Sequence, residues 1–142
     1  MIIILDSNVI IAALIKDSIT RKIIIDLHPH IYFPEEMSKE IKKYKDIIKK
    51  KAKINEQQFL EAYQKLFKYI KTVPNDDILK YKEKAQRIMQ EIDPKDHLLI
   101  AASFCFPDSV IWSNDPHLKM QTKVNTFTTL EIIKKIKMFL EK

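Results

Sequence analysis

Four acidic residues stand where metal-assisted chemistry would need them: Asp6, Glu40, Asp96 and Asp115. Asp6 ends the aliphatic run MIIIL, where an unpaired carboxylate must take up a proton or find a cation or hydrogen-bond donors. Asp115 lies just past another apolar run, VIWS, and Asp96 falls in the first turn of the helix that leads into that run. Glu40 sits beside the apolar stripe of a helix that follows a second short strand. In an open α/β sheet ligands bind beyond the carboxyl ends of the strands, near the point where strand order reverses. If the strands before Asp6 and Asp115 are neighbours, the acids converge at one edge and repel one another unless a cation sits between them. A hard divalent ion takes such oxygen ligands, generates hydroxide from bound water and clamps a phosphodiester.

Each acid also has a simpler use. Asp93 before Pro94, and Asp115 before Pro116, have the form of helix N-caps, and Asp96 that of a favourable first-turn acid. Glu36 and Glu40 could be solvated acids beside lysines, and Asp6 could cap the next helix with Ser7 or Asn8 as rivals. His28, His30, His97 and His117 show no metal-ligand spacing and read as surface or packing residues. Cys105, between Phe104 and Phe106, reads as a buried, inert thiol, and Trp112 as core.

The elements that must position the acids follow from periodicity. Short apolar runs at Met1–Leu5, His30–Phe33, Lys71–Pro74, Asp108–Ser113 and Lys123–Phe127 read as strands. Helices are expected at Asn8–Lys16 and Ile19–Leu27, with a break at Asp17-Ser18. A long helix is expected from about Glu35 to Lys50, with Met37, Ile41, Tyr44 and Ile48 on one face. Glu56–Ile70, Asp77–Ile92, the stretch after Asp93, a short NDPHLKM helix and Thr128–Leu140 complete the set, the last with Leu130, Ile133, Ile136 and Leu140 inward. Strands separated by helices imply a parallel sheet covered on both faces, in one domain spanning residues 1–142.

Composition narrows the function. With no glycine in the chain, the glycine-rich phosphate loops are excluded and turns must rely on Asn, Asp, Pro and Ser. One cysteine makes neither an internal disulfide nor a four-ligand zinc site. Asp6 and Asn8 interrupt the only long apolar run, so a soluble cytoplasmic protein is expected, without a membrane partner. The net charge of +6 is matched by the stretch Ile41–Lys53, which holds seven Lys and one Asp. Such a patch is either a solvated helix face or a surface for a polyanion.

The order of these blocks resembles the PIN domain family of metal-dependent ribonucleases, which includes VapC-type toxins. ILDSNVII is similar to the family's opening strand and first acid, Asp6. FPEEMSKEI resembles the stretch carrying the second, Glu40, and IDPKDHLLIAAS the third, Asp96, with Asp93 an additional acid. VIWSNDPHL matches the block with a hydroxyl residue and an acid, here Ser113 and Asp115, although Pro116-His117 stand where many members carry a further acid. The resemblance implies a three-layer α/β/α fold around a roughly five-stranded parallel sheet, Mg²⁺ or Mn²⁺ as cofactor, RNA as substrate, an antitoxin protein as partner, and a homodimer. It implies that Asp6, Asp96 and Asp115 hold the ion, that Glu40 orients or deprotonates the attacking water, and that Asn8, Asp93 and Ser113 support them. Lys42, Lys43, Lys45, Lys49 and Lys50 would draw in RNA. Two rivals stand beside this: a non-catalytic RNA- or protein-binding module on the same fold, and a phosphotransfer domain phosphorylated on Asp6.

Overall fold

The computed structural model describes residues 1–15 and 18–140, with backbone alone at Ser18 and 138–140. Lys16 and Asp17, the expected last residue of the first helix and the first of the break after it, lie outside the described residues, as does the side chain of Leu140. The sheet has five parallel strands in the order β3-β2-β1-β4-β5. They are β1 (Ile3–Leu5), β2 (Ile31–Pro34), β3 (Lys71–Val73), β4 (Val110–Trp112) and β5 (Thr126–Phe127). Every residue of β1 and β4 is buried, as continuous apolar runs between two helical layers must be.

Strand order fixes the layers. From β1 the chain steps outward to β2 through α1 (Ser7–Ile15) and α2 (Ser18–Leu27). It continues to β3 through α3 (Ser38–Lys43), α4 (Lys45–Ala52) and α5 (Glu56–Phe67). It then returns across the sheet to β4 through α6 (Asn75–Leu79), α7 (Lys82–Met89) and α8 (His97–Phe104). Right-handed crossovers place α1–α5 on one face and, because the direction reverses, α6–α8 on the other. The packing agrees: α1 lies against α2, α3, α4 and α5, whereas α8 lies against β1, β2, β4, α6 and α7. The closing helix α9 (Thr129–Leu140) packs on α2. The fold is a three-layer α/β/α sandwich, and α8, apolar on nearly every side, is its most buried helix.

Several elements depart from the sequence reading. The expected Glu35–Lys50 helix is a 3-10 turn at Glu35–Met37 followed by α3 and α4, broken at Tyr44 (φ −95°, ψ 10°). Met37, Ile41 and Ile48 are buried while Tyr44 turns outward, so the apolar stripe is divided between two axes. Asp77–Ile92 is likewise split, at Tyr81 (φ −117°, ψ 1°). The stretch after Asp93 starts as a 3-10 turn, Pro94–Asp96, and NDPHLKM holds only a 3-10 turn, Pro116–Met120. The expected Lys123–Phe127 strand shortens to Thr126–Phe127 because the buried Gln121 amide binds its backbone. Gln121 Oε1 accepts from Lys123 N (2.9 Å) and Val124 N (3.0 Å), and its Nε2 donates to Val124 O (2.7 Å). In α9 Ile136 packs on the core as expected, but Leu130 and Ile133 are exposed and Ile132 is buried in their stead. Cys105 is half-buried rather than buried, and burial still pushes its thiol up.

The absent glycine has a local cost. Lys53 closes α4 in the left-handed region (φ 58°, ψ 49°) and Asp108 enters β4 with φ 62°. A side chain at such a position is strained by about 1 kcal/mol relative to glycine. Asp108 is a residue type expected in a turn, whereas Lys53 is not.

Candidate metal centre

Parallel pairing assembles the site. β1 and β4 run side by side in the register Ile3↔Val110, Ile4↔Ile111, Leu5↔Trp112. The next residues on the two strands are therefore Asp6 and Ser113. At β1 the chain goes one way to β2 and later returns the other way to β4, so this pair sits at the reversal of strand order. Asp6 N donates to Trp112 O (3.0 Å), and Ser113 Oγ donates to Asp6 Oδ2 (2.6 Å). Asn8, the second residue of α1, adds a donor to Oδ2 from Nδ2 (3.2 Å).

Asp6 is 5% exposed, and its acidity reflects that place. Burial raises its pKa first. The Ser113 hydroxyl pulls it down, Glu40 and Asp115 push it up, and the Ser7 amide pulls it down. Ser7 ties Asp6 to the second layer of acids. Its hydroxyl donates to Glu40 Oε2 at 2.8 Å and lies 3.4 Å from Asp6 Oδ1. With one proton to give, the shorter contact is the bond. The sequence reading treated Ser7 only as a rival cap; its position beside a buried carboxylate was the available signal.

Asp6, Glu40, Asp96 and Asp115 all line one hollow of 420 Å³, walled further by Ile11, Ile15, Tyr44, Ile47 and Lys51. Asp93 and Asp115 also have the capping geometry expected of them. Asp93 Oδ1 accepts from Lys95 N (3.1 Å) and Asp115 Oδ1 from His117 N (2.9 Å). Asp115 thus both caps its turn and lines the hollow, whereas Asp93, which caps its turn in the same way, is not among the residues lining it. The Ser113 hydroxyl completes the link by accepting from Asp115 N (3.0 Å) and Asn8 Nδ2 (3.4 Å).

The donor set fits a divalent cation. Asp96 Oδ2 is buried without a hydrogen-bond partner among the described residues. Its carboxyl is pushed up to about 7, by burial first, then by Asp6, Asp93 and Asp115, and last by a hydrogen bond with Asp115. Burial is the larger cause, and the carboxylates nearby add to it, as like charges sharing a site do. The ligand atoms within 4.8 Å of one another belong to Asp93, Asp115 and His117, a set sharing only Asp115 with the expected trio. His117 was read as a surface or packing residue; its Nδ1 lies 3.0 Å from Asp115 Oδ1.

A sequence profile of the PIN domain family matches residues 4–135. The chain belongs to the PIN domain family. No curated protein and no solved structure matched. PIN domains are generally nucleases that act on RNA with divalent metals, and this PIN domain has the nuclease-type fold together with an acidic cluster able to take such an ion. No helix among the described residues is long and apolar enough to cross a membrane.

The basic stretch is less open than its sequence suggests. Lys45 Nζ is 2.8 Å and Lys49 Nζ 3.5 Å from Glu56 Oε1 across the α4–α5 junction. Lys43 Nζ lies over the Tyr44 ring at 5.9 Å. Lys42 and Lys50 are exposed, and Lys51, not among the expected RNA-binding residues, is the lysine that reaches the acidic hollow.

The acids set the pH response of the metal-free PIN domain. Folded Asp96 keeps its proton up to about pH 7, whereas the unfolded chain releases it near 3.8, so metal-free stability falls as pH rises between these values. Glu131 acts oppositely: Lys119 and the Thr128 amide hold it down to about 2, so its contribution is lost as pH falls below about 4.5. Metal-free Tm should therefore fall as pH rises from about 4 to about 7. Added Mn²⁺ should raise it more at pH 8 than at pH 5, because at pH 5 the ion must displace a proton. Equal Mn²⁺ shifts at both pH values would contradict this.

Proposed function

We propose that this PIN domain is a divalent-metal-dependent endoribonuclease, working as one domain over residues 1–142. The supporting observation is the hollow in which Asp6, Glu40, Asp96 and Asp115 meet at the strand-order reversal. In this reading Asp6, Asp96 and Asp115 hold Mg²⁺ or Mn²⁺, directly or through water, and Asp93 adds charge nearby. When bound, such an ion would make a water it holds more acidic and would offset charge on the phosphate.

The chain's own groups do the rest. Ser113 and Asn8 hold the Asp6 carboxylate by its Oδ2, and Ser113 also receives the Asp115 amide, so two ligand-bearing segments are fixed through one hydroxyl. Glu40, oriented by Ser7, takes the proton of the attacking water. The water oxygen then bonds to phosphorus as a bridging P–O bond breaks, and the leaving oxygen takes its proton from solvent water. His117 fixes Asp115 through its amide and ring. Lys42, Lys50 and Lys51 draw the phosphate backbone in, with an affinity that falls as salt rises.

Family membership supports extending this reading to the toxin of a toxin–antitoxin pair and to a homodimer. A second hollow of 400 Å³, lined by Leu14, Ile25, Leu66 and Tyr69 among others, offers an antitoxin apolar surface to bury. The reading is tested by incubating the protein with structured and single-stranded RNA. Cleavage is expected with Mg²⁺ or Mn²⁺, ending on addition of EDTA and returning on metal replacement. RNA binding without cleavage under any divalent ion would support the non-catalytic rival.

A further inference from the structure

The break between α3 and α4 gives the acidic hollow a second wall of different chemistry. Tyr44 caps α4 and is 36% exposed; Ile47 follows at i+3 and is 50% exposed; Lys51 follows at i+7. All three line the hollow together with Ile11 and Ile15. Three and seven residues apart on a helix, they form one row, about 10 Å long at 1.5 Å per residue. What sets Tyr44 and Ile47 apart from other exposed apolar side chains is their place, in the wall of a hollow that also holds four carboxylates. Lys51 is not tied down: it makes no ion pair among the described residues, unlike Lys45 and Lys49.

We infer that the row Tyr44, Ile47, Lys51 receives one unpaired nucleotide, its base against Tyr44 and Ile47 and its phosphate on Lys51, beside the acids. The chemistry on the page selects this occupant. A nucleobase has an apolar face that stacks on aromatic and aliphatic side chains, and the adjoining phosphate needs the cation that the row ends on. Lys43, over the Tyr44 ring, adds positive charge at the other end of the row. An apolar peptide would leave Lys51 and four carboxylates without complement. A base stacked within a duplex cannot reach the row, so the site selects RNA that is single-stranded or bulged at the bound nucleotide. This inference rests on the endoribonuclease reading for its substrate.

The test uses the full-length chain carrying Asp6→Asn, so that RNA stays intact, and a short fluorescein-labelled single-stranded RNA followed by anisotropy. Adding Tyr44→Ala is expected to weaken binding about tenfold, whereas Tyr44→Phe should stay close to the parent. In a set of RNAs with an abasic site at each position in turn, one position should cost the parent about tenfold and the Tyr44→Ala protein nothing further. Equal abasic losses in both proteins, or no loss in either, would overturn the inference. Cleavage by the wild-type chain is measured alongside. Cleavage without Tyr44 coupling sinks the row and leaves the nuclease; Tyr44 coupling without cleavage sinks the nuclease and keeps the row as a binding site.

Discussion

Replacing Asp6 by asparagine is expected to lower metal-dependent RNA cleavage by about a thousandfold or more, and to leave the metal-free protein at least as stable as the wild type. Asparagine keeps the shape, so Ser113 can still donate to the oxygen it now meets at 2.6 Å. What is lost is a negative charge held 5% exposed at the reversal of strand order. In the proposed centre that charge helps bind the ion, whose stabilisation of the transition state is worth several kcal/mol, or about a thousandfold in rate. Without metal the same charge is unfavourable, because burial, Glu40 and Asp115 all raise the Asp6 pKa. A purely structural Asp6 would behave in the opposite way, losing stability on substitution and leaving any cleavage in place. Thermal melting and cleavage measured on one preparation separate the two.

Ser113→Ala should produce a different failure. Its hydroxyl gives its proton to Asp6 Oδ2 and accepts from Asp115 N and Asn8 Nδ2, which uses its whole hydrogen-bonding capacity. Alanine frees the Asp6 carboxylate to turn and leaves the Asp115 amide without its partner. Groups that orient metal ligands typically matter 10- to 100-fold in affinity, so Mn²⁺ binding by calorimetry is expected to weaken by about that factor. A loss of about 1–3 kcal/mol in stability should accompany it, the usual cost of breaking a buried bond to a charged group. Cleavage should recover at high Mn²⁺, which the Asp6 variant cannot achieve, and Ser113→Thr should retain most of the function. Unchanged Mn²⁺ affinity in the alanine variant would mean that Ser113 serves packing alone.

The parts of this fold that were legible in the sequence are those set by short-range constraints. Apolar runs can be satisfied only between two layers, and β1 and β4 are such runs. Placing Asp6 and Asp115 just past them put both at the carboxyl end of a parallel sheet before the strand order was known. The helix breaks at Tyr44 and Tyr81 were not legible, because apolar spacing runs on unchanged through a bend that tertiary packing imposes. That same bend turned Tyr44 from an expected core position into a wall of the hollow. The strand before Thr126 was lost to a side chain, Gln121, whose competition for backbone donors depends on its burial. Lys45 and Lys49 read as free cations because Glu56, which holds them, stands on the next helix. His117 carried no ligand spacing, and its closeness to Asp115 follows from a turn of only a few residues.

The central claim is that a divalent ion neutralises acids drawn from three separate segments of the chain, and anomalous diffraction from crystals soaked in Mn²⁺ near pH 8 tests it most directly. The account predicts a manganese peak in the hollow, coordinated by Asp6, Asp96 and Asp115 oxygens directly or through water, with Glu40 one water away. A peak held by Asp93 and His117 without Asp6 and Asp96, or none at saturating Mn²⁺, would contradict it.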